Sequence, residues 1–297
     1  MKIIDAHVHF YDTQVNQHDF LNSPDPTFTE IVGDYSKLPK SYLPQNYFQD
    51  TSSYNIEGVV WHEYLSTDPL KEAQWANSLV NTEKFKQAMV VLVDFLDLNL
   101  ESKLDFYQSL PYVVAVREHL GWDNNNSLRR FSKRSDLLTD PKWNNNLNLL
   151  RNYSFKCGLE VFAHQLSDLN KVITHYPNLE FTIAVMGWPL NIAPVGFQQW
   201  KKELISIAKN ANVCFEISAI ECIFGMNWKV EQIKPWILTA IEIFGINRCM
   251  FGSHMPIAKL SRSFEQLYTA YEDILVNFTI HEKNEIFYNV AAKWFKF

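Results

Sequence analysis

Lys2–His9 reads KIIDAHVH, an apolar, β-branched run closed by two histidines one residue apart. A strand with so little polar surface on either face is one buried on both, as in a parallel sheet covered by helices. Seven further runs of this kind follow: Glu57–Glu63 (EGVVWHE), Gln87–Asp94 (QAMVVLVD), Tyr112–Glu118 (YVVAVRE), Gly158–Ala163 (GLEVFA), Leu179–Val185 (LEFTIAV), Asn212–Ser218 (NVCFEIS) and Arg248–Ser253 (RCMFGS). Helical patterns separate them. Asp68-Pro69 opens a helix with proline at its first position. Leu166–His175 is closed by Pro177, Phe197–Lys209 follows Pro194, and Val230–Phe244 is closed by Gly245. Phe264–Val276 precedes a last helix whose start, Thr279 to Glu282, fits a capping box. The alternation predicts an α/β chain folded as a (β/α)8 TIM barrel, one domain over residues 1–297. A doubly wound sheet competes, but no glycine-rich phosphate loop follows any strand. Phe10–Ile56 breaks the rhythm. It is a long aromatic loop after strand one, with Pro24, Pro26, Pro39 and Pro44, and is expected on the active face.

Composition narrows the function. A net charge of −6 over 297 residues argues against nucleic acid as a partner, because phosphate binding needs a basic face. No apolar run reaches the roughly 18 residues of a membrane span. The N-terminus is too short and polar for a signal peptide. Four cysteines without a CxxC pair suggest neither a zinc knuckle nor a disulfide framework. The expectation is a cytoplasmic protein acting on a small-molecule substrate, with a homo-oligomer left open. Aromatic residues reach 14%, with nine Trp, enough to fill a large core or line a pocket for a flat ligand.

Strand alternation puts Ile3, Asp5, His7 and His9 on one face and Ile4, Ala6 and Val8 on the other. His7 and His9 then lie about 6.5 Å apart along the strand. At a barrel mouth they suit two ligands of one metal, or a base and its partner; ordinary strand-end hydrogen bonds are the plain alternative. Trp188 and Trp122 lie just beyond strand ends, where they stack on a ring-shaped ligand or simply pack. His62, His119 and His18 have no direction fixed by sequence.

Several segments resemble the amidohydrolase superfamily, in the branch with sugar lactonases, pyrone dicarboxylate lactonase and aminocarboxymuconate-semialdehyde decarboxylase. IDAHVHF is similar to its strand-one HxH, and SYLPQNYF with GVVWHEY to its approach to strand two. VAVRE resembles strand four, HYPNLEFTIAVMGWP strand six, FGINRCMFGSHMP strand eight and YNVAAKWF the terminal helix. The resemblance implies a metal-dependent hydrolase that opens a lactone or similar cyclic ester of a small polar molecule. A lyase decarboxylating a carboxylated small molecule is one alternative; a barrel that only binds a ligand or partner is another. It implies His254, His7, His9 and Arg117 as catalytic residues and Glu63 and Arg117, beside Trp188, as substrate contacts. One divalent metal, zinc first, would be held by His7, His9 and His254 with His164; a metal-free lactonase also fits. Arg117 could instead pair with Glu118 or Glu160, and His164 could sit in the first turn of a helix. The chain departs from the pattern twice: Val185 stands at the strand-six histidine and His254 at the strand-eight aspartate.

Overall fold

The computed structural model describes residues 1–83 and 85–297. All eight runs form strands: β1 Lys2–Val8, β2 Asn55–His62, β3 Gln87–Leu92, β4 Val113–His119, β5 Lys156–Glu160, β6 Phe181–Ile183, β7 Val213–Ile217 and β8 Cys249–Phe251. They pair in parallel and in chain order, β1 to β8, with helices between them. β1 and β8 meet through a Val8–Met255 bridge, with His254 N donating to His7 O and His9 N to Met255 O, both at 2.8 Å. The barrel thus closes at the two strands that carry the signature histidines.

Helix signals act as read, with small shifts at the ends. Pro69–Glu83, Leu166–His175 and Val230–Phe244 are helices. The helix expected from Phe197 starts at Pro194, which occupies its first position, and ends at Ile207. Thr279 caps the terminal helix reciprocally with Glu282. Between β1 and β2, Tyr11–Asp12 pairs antiparallel with Ser41–Tyr42, and three short helices follow the chain at Asp19–Asn22, Pro26–Val32 and Pro44–Asp50.

Inside the barrel, small and medium side chains pack together: Ile4, Ala6, Val60, Ala88, Val90, Ala115, Cys214 and Met250. Phe295, after the helix Val290–Trp294, joins this cluster and plugs the end of the barrel opposite the site. Val59, Trp61, Val91 and Phe215 face the other way, into the layer between strands and helices.

The expected β1 alternation needs correction. Ile4 and Ala6 point inward, and Asp5 points out to Tyr47 Oη at 2.8 Å. A register shift between Asp5 and Val8 then inserts one extra residue against β2. Such a bulge resets the alternation, so His7 and His9 turn inward although Asp5 does not. Asp5 instead ties the seam, accepting from Ser253 N at 2.7 Å.

Candidate active site

His7 and His9 enter the barrel mouth from β1 and meet His254, which follows β8. Candidate metal-ligating atoms of the three lie within 4.8 Å of one another. Each ring is held by its Nδ1. His7 Nδ1 shares a 2.6 Å hydrogen bond with Glu216 Oε1 on β7, and Ser218 Oγ donates to that same oxygen at 2.6 Å. His9 Nδ1 donates to the His62 carbonyl at 3.0 Å. His254 Nδ1 bonds Glu221 Oε1 at 2.5 Å. Burial, then the neighbouring His254 and Arg117, holds His7 well below the usual imidazole range; burial, then His7 and His254, does the same for His9. Both are neutral at pH 7. A carbonyl only accepts, so the proton of His9 sits on Nδ1 and its Nε2 carries a lone pair. That Nε2 lies 3.2 Å from His7 Nε2. Two nitrogens each about 2.0–2.1 Å from a tetrahedral zinc are about 3.3 Å apart. Imidazoles anchored at Nδ1 by carboxylates and carbonyls are the usual support of metal ligands. The donor set therefore fits a divalent cation. Gly252 makes the close packing possible: a Cβ there would lie 2.6 Å from His7 Cβ.

Below and beside this cluster lies a closed ring of charges. Arg117 donates through Nε to Glu63 Oε1 at 2.8 Å, through Nη1 to Glu160 Oε1 at 2.7 Å and through Nη2 to Glu63 O at 2.9 Å. Its Nη1 also reaches His62 Nδ1 at 3.3 Å, and Nη2 lies 2.7 Å from Glu63 Oε1. His62 donates Nε2–H to Ala6 O at 3.1 Å, which leaves its Nδ1 free to accept. His119 spans the two carboxylates, Nε2 to Glu63 Oε1 and Nδ1 to Glu160 Oε2, each at 2.9 Å. Two acidic partners require both ring nitrogens to donate. Burial opposes that charge most, but Glu160 and Glu63 together outweigh it, and the His119 pKa is pushed up to about 9. Burial alone would raise Glu63 and Glu160; Arg117 and His119 overcome it and hold both well below the usual carboxylate range. Burial pushes the Glu216 carboxyl up to about 8.

Above the polar floor opens a small pocket of about 70 Å³. Its walls are apolar: Phe28, Ile31 and Val32 from the loop after β1, Phe131 from the loop after β4, then Val185, Trp188 and Ile257. Phe131 stacks on Trp188 at 5.5 Å between ring centres. Several wall residues have left-handed backbone, among them Leu65 (φ 54), Val185 (φ 50), Trp188 (φ 38), Ala219 (φ 53) and His254 (φ 61). Non-glycine residues hold such angles at a cost, and they concentrate at functional sites.

Of the expected site residues, His7, His9, His254, Glu63, Arg117 and Trp188 all line this pocket. Arg117, expected as a catalytic residue and substrate contact, gives its donors to Glu63, Glu160 and His62, and the pairing with Glu160 is one of the two alternatives read from the sequence; Glu118 instead accepts from Trp143 Nε1. His164 is exposed in the short turn Ala163–Gln165, where its Nε2 donates to Trp122 O at 2.9 Å, away from the cluster. Val185 is part of the apolar wall. Trp122 lies under Arg130, 4.7 Å from its ring centre, and His18 donates to Tyr64 O. Sequence reasoning passed over Glu216 and Glu221. Glu216 had a signal: a lone carboxylate inside an apolar strand demands a buried partner.

A family model described as "Amidohydrolase" matches residues 4–297. Among curated proteins, an uncharacterised protein, y4mH, of Sinorhizobium fredii is 24% identical over 299 residues, covering 99% of this chain and 98% of that one. An amidohydrolase from Burkholderia multivorans with bound zinc superposes with a TM-score of 0.82 at 17% identity, covering 100% of this chain and 99% of that one. A probable 2-pyrone-4,6-dicarboxylic acid hydrolase from Acinetobacter baumannii, with citric acid bound, gives 0.71 at 15% identity, covering all of both chains. 5-Carboxyvanillate decarboxylase from Novosphingobium aromaticivorans, with manganese, gives 0.65 at 12%, covering 99% and 96%. At these identities the structural likeness speaks for the barrel fold alone.

Proposed function

The chain belongs to the amidohydrolase family, and from that premise we propose a hydrolase that opens a lactone or similar cyclic ester of a small molecule, with a divalent cation, zinc, at His7, His9 and His254. One observation supports this reading above the others: three imidazoles turn toward one point under one pocket, each with its Nδ1 already engaged. A bound zinc supplies Lewis acidity toward carbonyl and water oxygens. Glu216 and Glu221 fix the orientation of His7 and His254. His254 Nε2 either completes the ligand set or takes the proton of the attacking water, and both uses need the lone pair that Glu221 secures. In the second use, the water oxygen bonds to the carbonyl carbon as its proton passes to Nε2. The ring C–O bond then breaks, and the proton passes to the departing alkoxide, giving an open hydroxy acid. The charge ring holds β2, β4 and β5 in place at the mouth. Decarboxylation would need a held carboxylate, and both pocket cations are already paired.

Elemental mass spectrometry on tag-free protein, with lactone opening followed by pH-stat, tests the reading. The expected result is near-stoichiometric zinc, lost with activity in His7→Ala. His254→Ala separates the two uses of that residue. Metal loss marks a ligand, whereas retained metal with activity down about 10²–10⁴-fold marks a base. No bound metal and no turnover of any lactone would leave a ligand-binding barrel and end the proposal.

A further inference from the structure

The pocket differs from what a polar substrate would need. Among the described residues that line it there is no Ser, Thr, Asn, Gln, Lys or Asp. A ring with several hydroxyls would find Tyr64 Oη and Trp188 Nε1, both buried without a partner among the described residues, but few groups beyond them, and each unpaired buried hydroxyl weakens binding. Cationic groups are present, but they are spent. Arg117 and His119 carry +2, Glu63 and Glu160 carry −2, and every link between them is a direct contact of 2.7–2.9 Å. A carboxylated ring entering this site would find no unpaired cationic side chain among the described residues that line it. What the pocket does offer is flat apolar surface: the stacked Phe131–Trp188 pair on one side, Phe28 and Ile31 above.

We infer that the substrate is an uncharged, flat ring ester, and that the site rejects both polyhydroxylated lactones and ring carboxylates; this rests on the hydrolase reading above. The expectation of a polar substrate is revised accordingly.

Zinc-loaded protein titrated by calorimetry and intrinsic fluorescence against three probes decides it. These are 3,4-dihydrocoumarin, D-glucono-1,5-lactone and 2-pyrone-4,6-dicarboxylate. Dihydrocoumarin is expected to bind at least about 100-fold tighter than either other probe, the factor set by leaving one buried charge of the dicarboxylate, or several buried hydroxyls of the gluconolactone, unpaired. Glu160→Gln leaves the ring with a net +1. It should tighten the dicarboxylate at least tenfold relative to dihydrocoumarin; Glu63→Gln makes the same charge change from the other side if the first variant does not fold. Equal or tighter wild-type binding of the dicarboxylate or gluconolactone overturns the inference, as does a dicarboxylate affinity unmoved in both folded variants. The predicted ranking without hydrolysis of dihydrocoumarin keeps the inference and sinks the hydrolase reading. Hydrolysis without the ranking does the reverse.

Discussion

His119 shows how one side chain can tie folding to pH. Its ordinary value of 6.5 is pushed up to about 9 between Glu63 and Glu160, so the folded chain holds that proton more tightly than the unfolded one. The sign follows from linkage: the stabilisation is complete below about 6.5, declines as pH rises, and is gone above about 9. The gap is worth about 3 kcal/mol. Urea unfolding at pH 6 and pH 10 should show wild type losing about that much more than His119→Gln; equal losses would remove the ring as a source of stability. The residue types of this site were legible as polar letters in apolar runs, as Glu63, Arg117, His119 and the histidine pair all are. Their pairing was not. Glu63 and Glu160 reach Arg117 from strands 54 and 43 residues away in sequence. Asp5 was misread for a local reason, since a one-residue bulge leaves no mark in the letters.

Among elements, the covering loops are held by a single carboxylate. Glu30, on the helix Pro26–Val32, accepts from Arg129 Nε and Asn126 Nδ2, both at 2.9 Å, and pairs with Arg129 Nη2 at 2.8 Å. This joins the loop after β1 to the loop after β4, the two that supply Phe28, Ile31 and Phe131 to the pocket. A half-exposed pair contributes only about 0–1 kcal/mol to stability. Glu30→Ala should therefore move the melting temperature by no more than about 4 °C. It should speed release of dihydrocoumarin by about 3–10-fold in stopped-flow fluorescence, because about 1 kcal/mol is a factor near five. An unchanged release rate would show that the loops close without this latch. The eight strands were legible because burial on both faces writes a continuous apolar run. The helix Pro26–Val32 is legible too, inside the stretch expected as a long loop: Asp25-Pro26 repeats the start signal of Asp68-Pro69, and Asp25 caps Phe28 N. The left-handed turn Val185–Trp188 was not, since Val, Met and Trp give no hint of positive φ.

Across the whole molecule, the site and the barrel's closure are one structure. The sheet runs in order from β1 to β8, and the contacts that shut it are His254 to His7, His9 to Met255 and Ser253 to Asp5. The same backbone aims the three imidazoles. A cation drawn to them therefore braces the joint where the first and last strands meet, and its binding energy adds to the stability of the entire fold. At a free zinc concentration 100 times its Kd that addition is about 2.7 kcal/mol. At about 2–4 °C per kcal/mol for a chain of this size class, the melting temperature should rise by about 5 °C or more. Differential scanning calorimetry with buffered zinc, against the same protein in chelator, measures it. His9→Ala keeps the seam's backbone bonds but removes a ligand, so its melting temperature should no longer respond to zinc. Glu221→Gln, which loosens only the orientation of His254, should need 10–100-fold more zinc for the same rise. A wild-type shift that survives in His9→Ala would mean the stabilising ion sits elsewhere on the chain, and the joint would then owe its integrity to packing and backbone hydrogen bonds alone.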